Sequence, residues 1–258
     1  MKKKITILVV FILIISLVGG TVYYIGDYYH AEEVAITAIS NPHKSITVTE
    51  ENGVFSFKPQ NATKGVIFYP GGKVEAESYA PLMHTLAENG ILSVLITMPG
   101  NLAVLDMNAA DGICEKYPEI TEWYMAGHSL GGSMAASYIS ESAETFRGII
   151  LLASYSTADL KNKNLKVLSL YGSNDGVLNM EKYEEYKSNL PDDFKEVIIE
   201  GGCHAYFGAY GKQEGDNEPT ITREKQIEIT VNEISEFINN KKNNPFIKKT
   251  LDEWVIKF

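Results

Sequence analysis

Residues 122–141 read Glu-Trp-Tyr-Met-Ala-Gly-His-Ser-Leu-Gly-Gly-Ser-Met-Ala-Ala-Ser-Tyr-Ile-Ser-Glu, and the change of pattern within them decides the architecture. Residues 123–126 form a short apolar run of the kind that makes a fully buried strand, whereas from Leu130 to about Glu141 the chain suits a helix. Strand therefore passes into helix through Gly127-His128-Ser129-Leu130-Gly131, with a further Gly132 behind. A serine held in so sharp a turn needs glycine on either side, because flanking side chains would clash. The arrangement sets the Ser129 hydroxyl at the carboxyl end of the strand, facing the positive end of the next helix.

Working outward, further apolar runs lie at residues 66–69, 92–97, 148–152, 167–171 and 197–199. Runs of this kind are buried on both faces, which a parallel sheet covered by helices requires. The alternation predicts an α/β fold with a doubly wound, mostly parallel sheet. Between the runs, residues 79–89 read as a helix with Ser78 as cap, Pro81 in its first turn and Gly90 at its end. Residues 107–116 read as another. Near the C-terminus Ile227, Val231, Ile234 and Ile238 recur at helical spacing and give one apolar face to lay on the sheet. Residues 45–49 and 54–57 alternate about a Glu-Asn-Gly turn and predict an edge hairpin.

The first residues differ in composition from the rest. Lys2, Lys3 and Lys4 precede a charge-free run from Ile5 to about Ile25, close to the roughly 20 residues that cross a bilayer as a helix. Residues 1–26 are therefore expected to be an uncleaved signal anchor, a transmembrane helix with its lysines in the cytoplasm and the remainder of the chain outside the cell membrane. Secretion after signal cleavage is the alternative; an A-x-A-like site is missing, and only Gly19 and Gly20 are small residues near the right place. Residues 27–44 read as a linker, part helical, residues 45–240 as the domain, and residues 241–258 as a C-terminal extension with helical spacing of apolar residues. A formal net charge of -10 excludes steered binding to nucleic acid. Cys114 and Cys203 are too few for a disulfide framework or a metal site and read as free thiols; neither a metal nor another cofactor is expected.

A serine hydroxyl becomes a nucleophile only when a base removes its proton. Of the five histidines, His30 and His43 precede the domain, His84 lies mid-helix and His128 stands beside the nucleophile with its side chain directed elsewhere. His204 remains, in a loop after the last apolar run that would bring it over Ser129. The acid that orients it should follow the preceding strand, where Tyr171-Gly172-Ser173-Asn174-Asp175-Gly176 offers Asp175 alone. Ser129, Asp175 and His204 then appear in the chain order of a triad on this architecture. For the oxyanion, one backbone donor is the amide of Leu130; the other lies in Pro70-Gly71-Gly72-Lys73, at Gly72 or Lys73.

On the elbow at residues 127–131, the turn at 171–176 and Gly202-Cys203-His204, the chain resembles the α/β-hydrolases over about residues 64–240, most closely the small bacterial members similar to dienelactone hydrolase. The resemblance implies the fold, the triad and esterase-type activity. The chain departs from lipases in having Pro70-Gly71-Gly72-Lys73 in place of a His-Gly-Gly-Gly loop, and from dienelactone hydrolases in having Ser129 where they use cysteine. The short stretch between the runs at 148–152 and 167–171 leaves no room for a cap. After the base, residues 205–211 are aromatic and glycine-rich: either Tyr206 and Phe207 wall the substrate, or the loop merely packs on the domain. Asp216 and Glu218 read as solvated loop charges. The expected reaction is hydrolysis of a carboxylic ester or thioester, on a small-molecule or lipid-like substrate, through an acyl-enzyme. The alternatives are acyl transfer to lipid or envelope polymer, and a catalytically silent anchored binding module.

Overall fold

In the computed structural model, which describes residues 2–239, helices α1 (Lys2–Gly26) and α2 (Glu33–Ser40) precede a hairpin of β1 (Ile46–Glu51) and β2 (Val54–Pro59). There follow β3 (Lys64–Tyr69), α3 (Ala80–Glu88), β4 (Leu92–Ile96), α4 (Ile113–Lys116), β5 (Glu122–His128) and α5 (Leu130–Glu141). The chain ends with β6 (Phe146–Leu152), β7 (Lys166–Gly172), α6 (Met180–Tyr186), β8 (Lys195–Ile199) and α7 (Arg223–Asn239). The strands form one eight-stranded sheet in the order β1-β2-β4-β3-β5-β6-β7-β8. From β4 to β8 all pairs are parallel, and the β1–β2 hairpin adds an antiparallel edge.

Alternate residues of a strand face opposite sides of its sheet, and both sides here are apolar. Val66 and Phe68 of β3 pack with Tyr124 and Ala126 of β5 under α3 and α7, where Leu86, Val231 and Ile234 close the layer. Ile67, Tyr69 and Met125 face the other way, against Ala135, Ala136 and Ile139 of α5. The hairpin turns through Asn52 and Gly53, at φ 53° and 77°, the pair of left-handed residues that a two-residue turn between twisted strands demands. Residues 153–165 join β6 to β7 without a helix, so no cap stands over that edge.

The structure departs from the sequence reading at several places. The helix expected over residues 107–116 is only the single turn α4. Gly112, at φ 76°, breaks any helix entering from the N-terminal side, and the buried Tyr69 hydroxyl holds the preceding loop by donating to Met107 O at 2.9 Å and accepting from Ala110 N at 3.0 Å. Ser78 caps nothing: it lies in a short turn before α3, and its buried hydroxyl has no hydrogen-bond partner. The segment read as a linker is stitched to the domain. Tyr29 donates to Lys73 O at 2.7 Å and accepts from Glu75 N at 2.9 Å, Ala35 and Ala38 of α2 are fully buried, and Glu32 pairs with Arg223. Against the expectation of a transmembrane helix, no helix among the described residues is long and apolar enough to cross a membrane; α1 covers the charge-free run, and several of its side chains lie outside the described residues. The extension at residues 241–258 lies outside them as well.

His84 on α3 ties the hairpin to the domain, its Nε2 accepting from His43 N at 3.0 Å. Glu88 Oε1 stands 3.9 Å from its Nδ1, yet burial, then the His43 imidazole, push the ring down to about 4. Between that value and the unfolded value near 6.5 the unfolded chain binds the extra proton, so stability is lost as pH falls through this window, by about 3 kcal/mol in the limit. In His84→Gln, whose amide oxygen replaces the acceptor, the loss between pH 6.5 and pH 4 is expected to be smaller by about that amount, as measured by urea unfolding at each pH.

Candidate active site

Because β3 lies between β4 and β5, the chain leaves β3 toward one side of the sheet and returns on the other. The crevice at the carboxyl ends of β3 and β5 is thus a topological switch point, where ligands of such sheets bind. Ser129 stands there, between β5 and α5, at φ 51° and ψ -123°, a strained conformation for a residue with a side chain. Glycine makes the turn possible by absence. A Cβ on Gly127 would lie 2.6 Å from Gly131 C, and one on Gly131 would lie 2.1 Å from Pro70 O; these obstacles are backbone and cannot move aside. Ser129 N donates to Leu152 O at 2.9 Å, and Ser154 Oγ donates to Ser129 O at 2.7 Å, so the strained residue is held from two sides.

The structure joins His204 and Asp175 directly. Asp175 Oδ2 accepts from His204 Nδ1 at 2.9 Å, with both side chains 1% exposed. A carboxylate can only accept, so the imidazole hydrogen sits on Nδ1 and Nε2 is left as the basic nitrogen. That Nε2 is buried and has no hydrogen-bond partner among the described residues. Asp175 Oδ1 accepts from Val177 N and Leu178 N, each at 2.8 Å. These bonds hold the carboxylate in one orientation.

For the oxyanion, Lys73 is corrected. Its N–H donates to Asn101 O at 2.8 Å and is not free for a substrate. Gly71 N donates to Tyr79 Oη at 3.0 Å. Gly72 N carries no hydrogen bond among the described residues, and its Cα hydrogen faces Leu130, where a Cβ would lie 2.9 Å from Leu130 Cδ2. Leu130 N, in the first turn of α5, has no helical partner. Of the two positions expected to supply the second donor, Gly72 is the one whose N–H remains unengaged among the described residues, and it lies beside Leu130.

The expected substrate wall is corrected too. Phe207 is fully buried and packs against the His128 ring at 5.6 Å. Tyr206 lines a cleft of about 680 Å³ with Glu32 and residues 218–225, which contains none of the triad residues. His128 is not directed away: its ring lies 4.5 Å from that of His204. Burial, then the His204 imidazole, hold His128 well below the usual histidine range, with the His204 main chain acting the other way. Cys203, next to the base, is pushed up to about 12 by burial and then by the Asp216 charge, so it stays a thiol.

Sequence reasoning missed the residues that hold the two triad loops together. Asp216, read as a solvated charge, accepts from Gly176 N at 3.0 Å through one oxygen and from Ala205 N at 2.9 Å through the other. One carboxylate thus clasps the residue after Asp175 to the residue after His204. Gln226 on α7, fully buried, accepts from Cys203 N at 3.0 Å and donates to Cys203 O at 2.8 Å. Asp216 sits in a polar loop with no pattern to mark it, and Gln226 adjoins an apolar helix face that drew attention only to its isoleucines. Asp216→Asn turns an NH₂ toward one of the backbone donors; the expected cost is about 1–2 kcal/mol of stability, with faster amide hydrogen exchange at Gly176 and Ala205, read by thermal unfolding and exchange mass spectrometry.

Comparisons with known proteins agree with this fold. Among solved structures, the chain is similar to a CIB-like hydrolase from Thermoplasma acidophilum, with 19% identity, a TM-score of 0.54 and coverage of 74% of this chain and 99% of the other. It is similar to dienelactone hydrolase from Anabaena variabilis, with 14% identity, a TM-score of 0.59 and coverage of 77% and 100%. It is also similar to Est1E from Butyrivibrio proteoclasticus, with 15% identity, a TM-score of 0.53 and coverage of 76% and 98%. No curated protein sequence matches it. Residues 65–228 match the sequence profile of the alpha/beta hydrolase family, and the chain belongs to that family.

Proposed function

We propose that the chain is a serine hydrolase that cleaves a carboxylic ester or thioester through an acyl-enzyme on Ser129. The observation that carries the reading is the buried His204–Asp175 pair at 2.9 Å, with Nε2 left unpartnered at the crevice that presents the strained Ser129. In the reaction His204 Nε2 takes the Ser129 proton as Oγ attacks the carbonyl carbon. Asp175 keeps the imidazole in the right tautomer and stabilises the imidazolium that forms. Leu130 N–H and Gly72 N–H receive the negative charge on the carbonyl oxygen. His204 then returns the proton to the departing alcohol or thiol, and water repeats the sequence to free the acid and Ser129.

An apolar acyl group would find Leu102 and Leu130, whose side chains approach Gly72, and beside Leu102 the exposed Val104 and Leu105. We propose further that the enzyme sits on the outer side of the cell membrane, held there by its N-terminal segment although no helix among the described residues is long and apolar enough to span it. Its support is Lys2, Lys3 and Lys4 before a charge-free run, together with the exposed Val10, Phe11, Leu13 and Val18 on α1. Membrane fractionation tests it: full-length protein that remains in the pellet after a carbonate wash fits the anchor, and a shortened form in the medium refutes it.

The test of the chemistry is labelling of the purified full chain by a fluorophosphonate probe, beside turnover of p-nitrophenyl esters. Ser129→Ala is expected to abolish labelling, and His204→Ala to slow both reactions by about 10³-fold or more, while circular dichroism shows the fold intact. Labelling that persists in Ser129→Ala would refute the assignment.

A further inference from the structure

Resting on the serine-hydrolase reading, we infer that Tyr79 and His128 form an uncharged brace that fixes the Gly71–Gly72 donor loop against the catalytic base, which makes both of them positioning residues for the reaction.

Hydrogen-bond direction carries the first step. Gly71 N–H can only donate, and it lies 3.0 Å from Tyr79 Oη. The phenol therefore accepts there and has a single hydrogen left, which points to His128 Nδ1 at 2.7 Å. Nδ1 must accept that hydrogen, so the neutral His128 ring carries its own hydrogen on Nε2. The reverse tautomer would have the phenol oxygen accept twice and leave its own buried hydrogen without an acceptor, so the order Gly71 N–H to Tyr79 O–H to His128 Nδ1 is the one that satisfies all three groups.

Burial then makes the chain of bonds permanent. Tyr79 is 0% and His128 1% exposed, and burial raises the phenol's pKa while it lowers the imidazole's. Both groups stay neutral, and the bonds keep one direction. The loop sits directly on the pair: a Cβ on Gly71 would lie 2.8 Å from both Tyr79 Oη and His128 Nδ1. The other side of the His128 ring lies against His204, at 4.5 Å and 50° between ring planes, with Phe207 at 5.6 Å behind. The neighbour of the oxyanion donor and the base are thus referred to one rigid ring, which is itself the neighbour of Ser129. His128 cannot serve as a base in place of His204, since Nδ1 is engaged and Nε2 already holds a hydrogen.

The test uses the full chain, with p-nitrophenyl acetate as substrate and the fluorophosphonate as titrant of active sites. Tyr79→Phe, which removes one oxygen and little volume, is expected to lower kcat about 10- to 100-fold with KM within about twofold of wild type. His128→Leu should fall to the same level, and the double variant Tyr79→Phe/His128→Leu should fall no further, because the two act as one unit. His128→Asn, whose Oδ1 can stand where Nδ1 stood, should recover most of the loss seen with leucine. Wild-type kcat in Tyr79→Phe overturns the brace, and so do losses that simply add in the double variant. If the leucine variant fails to fold by circular dichroism, Tyr79→Phe and His128→Asn decide the matter. Independently of turnover, imidazole ¹⁵N NMR of the wild type, with His128 assigned by its loss in His128→Asn, should show hydrogen on Nε2 and an accepting Nδ1; hydrogen on Nδ1 overturns the brace. A wild type that neither takes the label nor turns over the ester defeats the serine-hydrolase reading and the catalytic role with it, whereas a reactive wild type with unaffected variants defeats the brace alone.

Discussion

Two backbones meet where no side chain can stand between them: the first turn of α5 at Gly131 lies against the end of β3 so closely that a Cβ would be 2.1 Å from Pro70 O and 2.4 Å from Tyr69 O. The rest of the site depends on this approach. It brings the loop after β3 beside the N-terminus of α5, so that Gly72 lies against Leu130. It also forces the chain to turn at Ser129 through a conformation that costs on the order of 1–3 kcal/mol, which the bonds from Ser129 N to Leu152 O and from Ser154 Oγ to Ser129 O help to hold. Strain at Ser129 and the approach of Gly72 to Leu130 are two consequences of one packing constraint.

The second half of the site is assembled by a different means. The loops after β7 and β8 touch at Gly172 and Gly202, where a Cβ on Gly172 would lie 2.3 Å from Gly202 C. Across that contact Asn174 N donates to Gly202 O at 2.8 Å, and Gly201 N donates to Ser173 Oγ at 2.8 Å. Asp216 and Gln226 then fasten the residues on either side of His204. Asp175 and His204 are therefore held in one arrangement, and a polar group fixed in advance stabilises developing charge more than one that must turn to meet it. The cost of that order falls on folding, where α7 and the loop before it supply the fastenings.

How much of this was legible in the sequence follows from the range of each interaction. The strands, the elbow and the pairing of Asp175 with His204 were readable because each depends on residue type at short spacing: apolar runs, glycines about Ser129, and an acid and a histidine after successive strands. The order of β3 and β4 in the sheet was not, since neither strand carries a mark of its neighbour. Lys73 failed as a donor because its N–H is taken by Asn101, 28 positions away in a loop that only the fold brings near. Phe207 failed as a substrate wall for the converse reason: an aromatic residue after the base suits either a pocket or a core, and its contact with His128 decides between them. His128 was read as directed elsewhere because a strand-to-helix turn gives no sign of which neighbour receives the ring; Tyr79, 49 positions earlier, is what receives it.

The segment between α1 and α2 adds a last link. Lys73 is held three times: its N–H by Asn101, its carbonyl by Tyr29 N, and its ammonium by Asp27 at 2.8 Å. Two of those three partners belong to residues 27–29, directly after α1. Ammonium–carboxylate pairs in the open contribute little by themselves, but the Tyr29 bonds to Lys73 O and Glu75 N extend the main chain of the donor loop by a parallel bridge, and the Ala31 N–H adds a bond to the Glu75 carboxylate at 2.7 Å. The loop that must present Gly72 N–H is therefore clamped from outside by the chain leaving α1, and from inside by Tyr79. A stretch that composition alone marks as a connector is part of the frame of the Gly71–Gly72 loop, so the chain leaving α1 and the geometry at Gly72 are coupled through bonds rather than joined by a free tether.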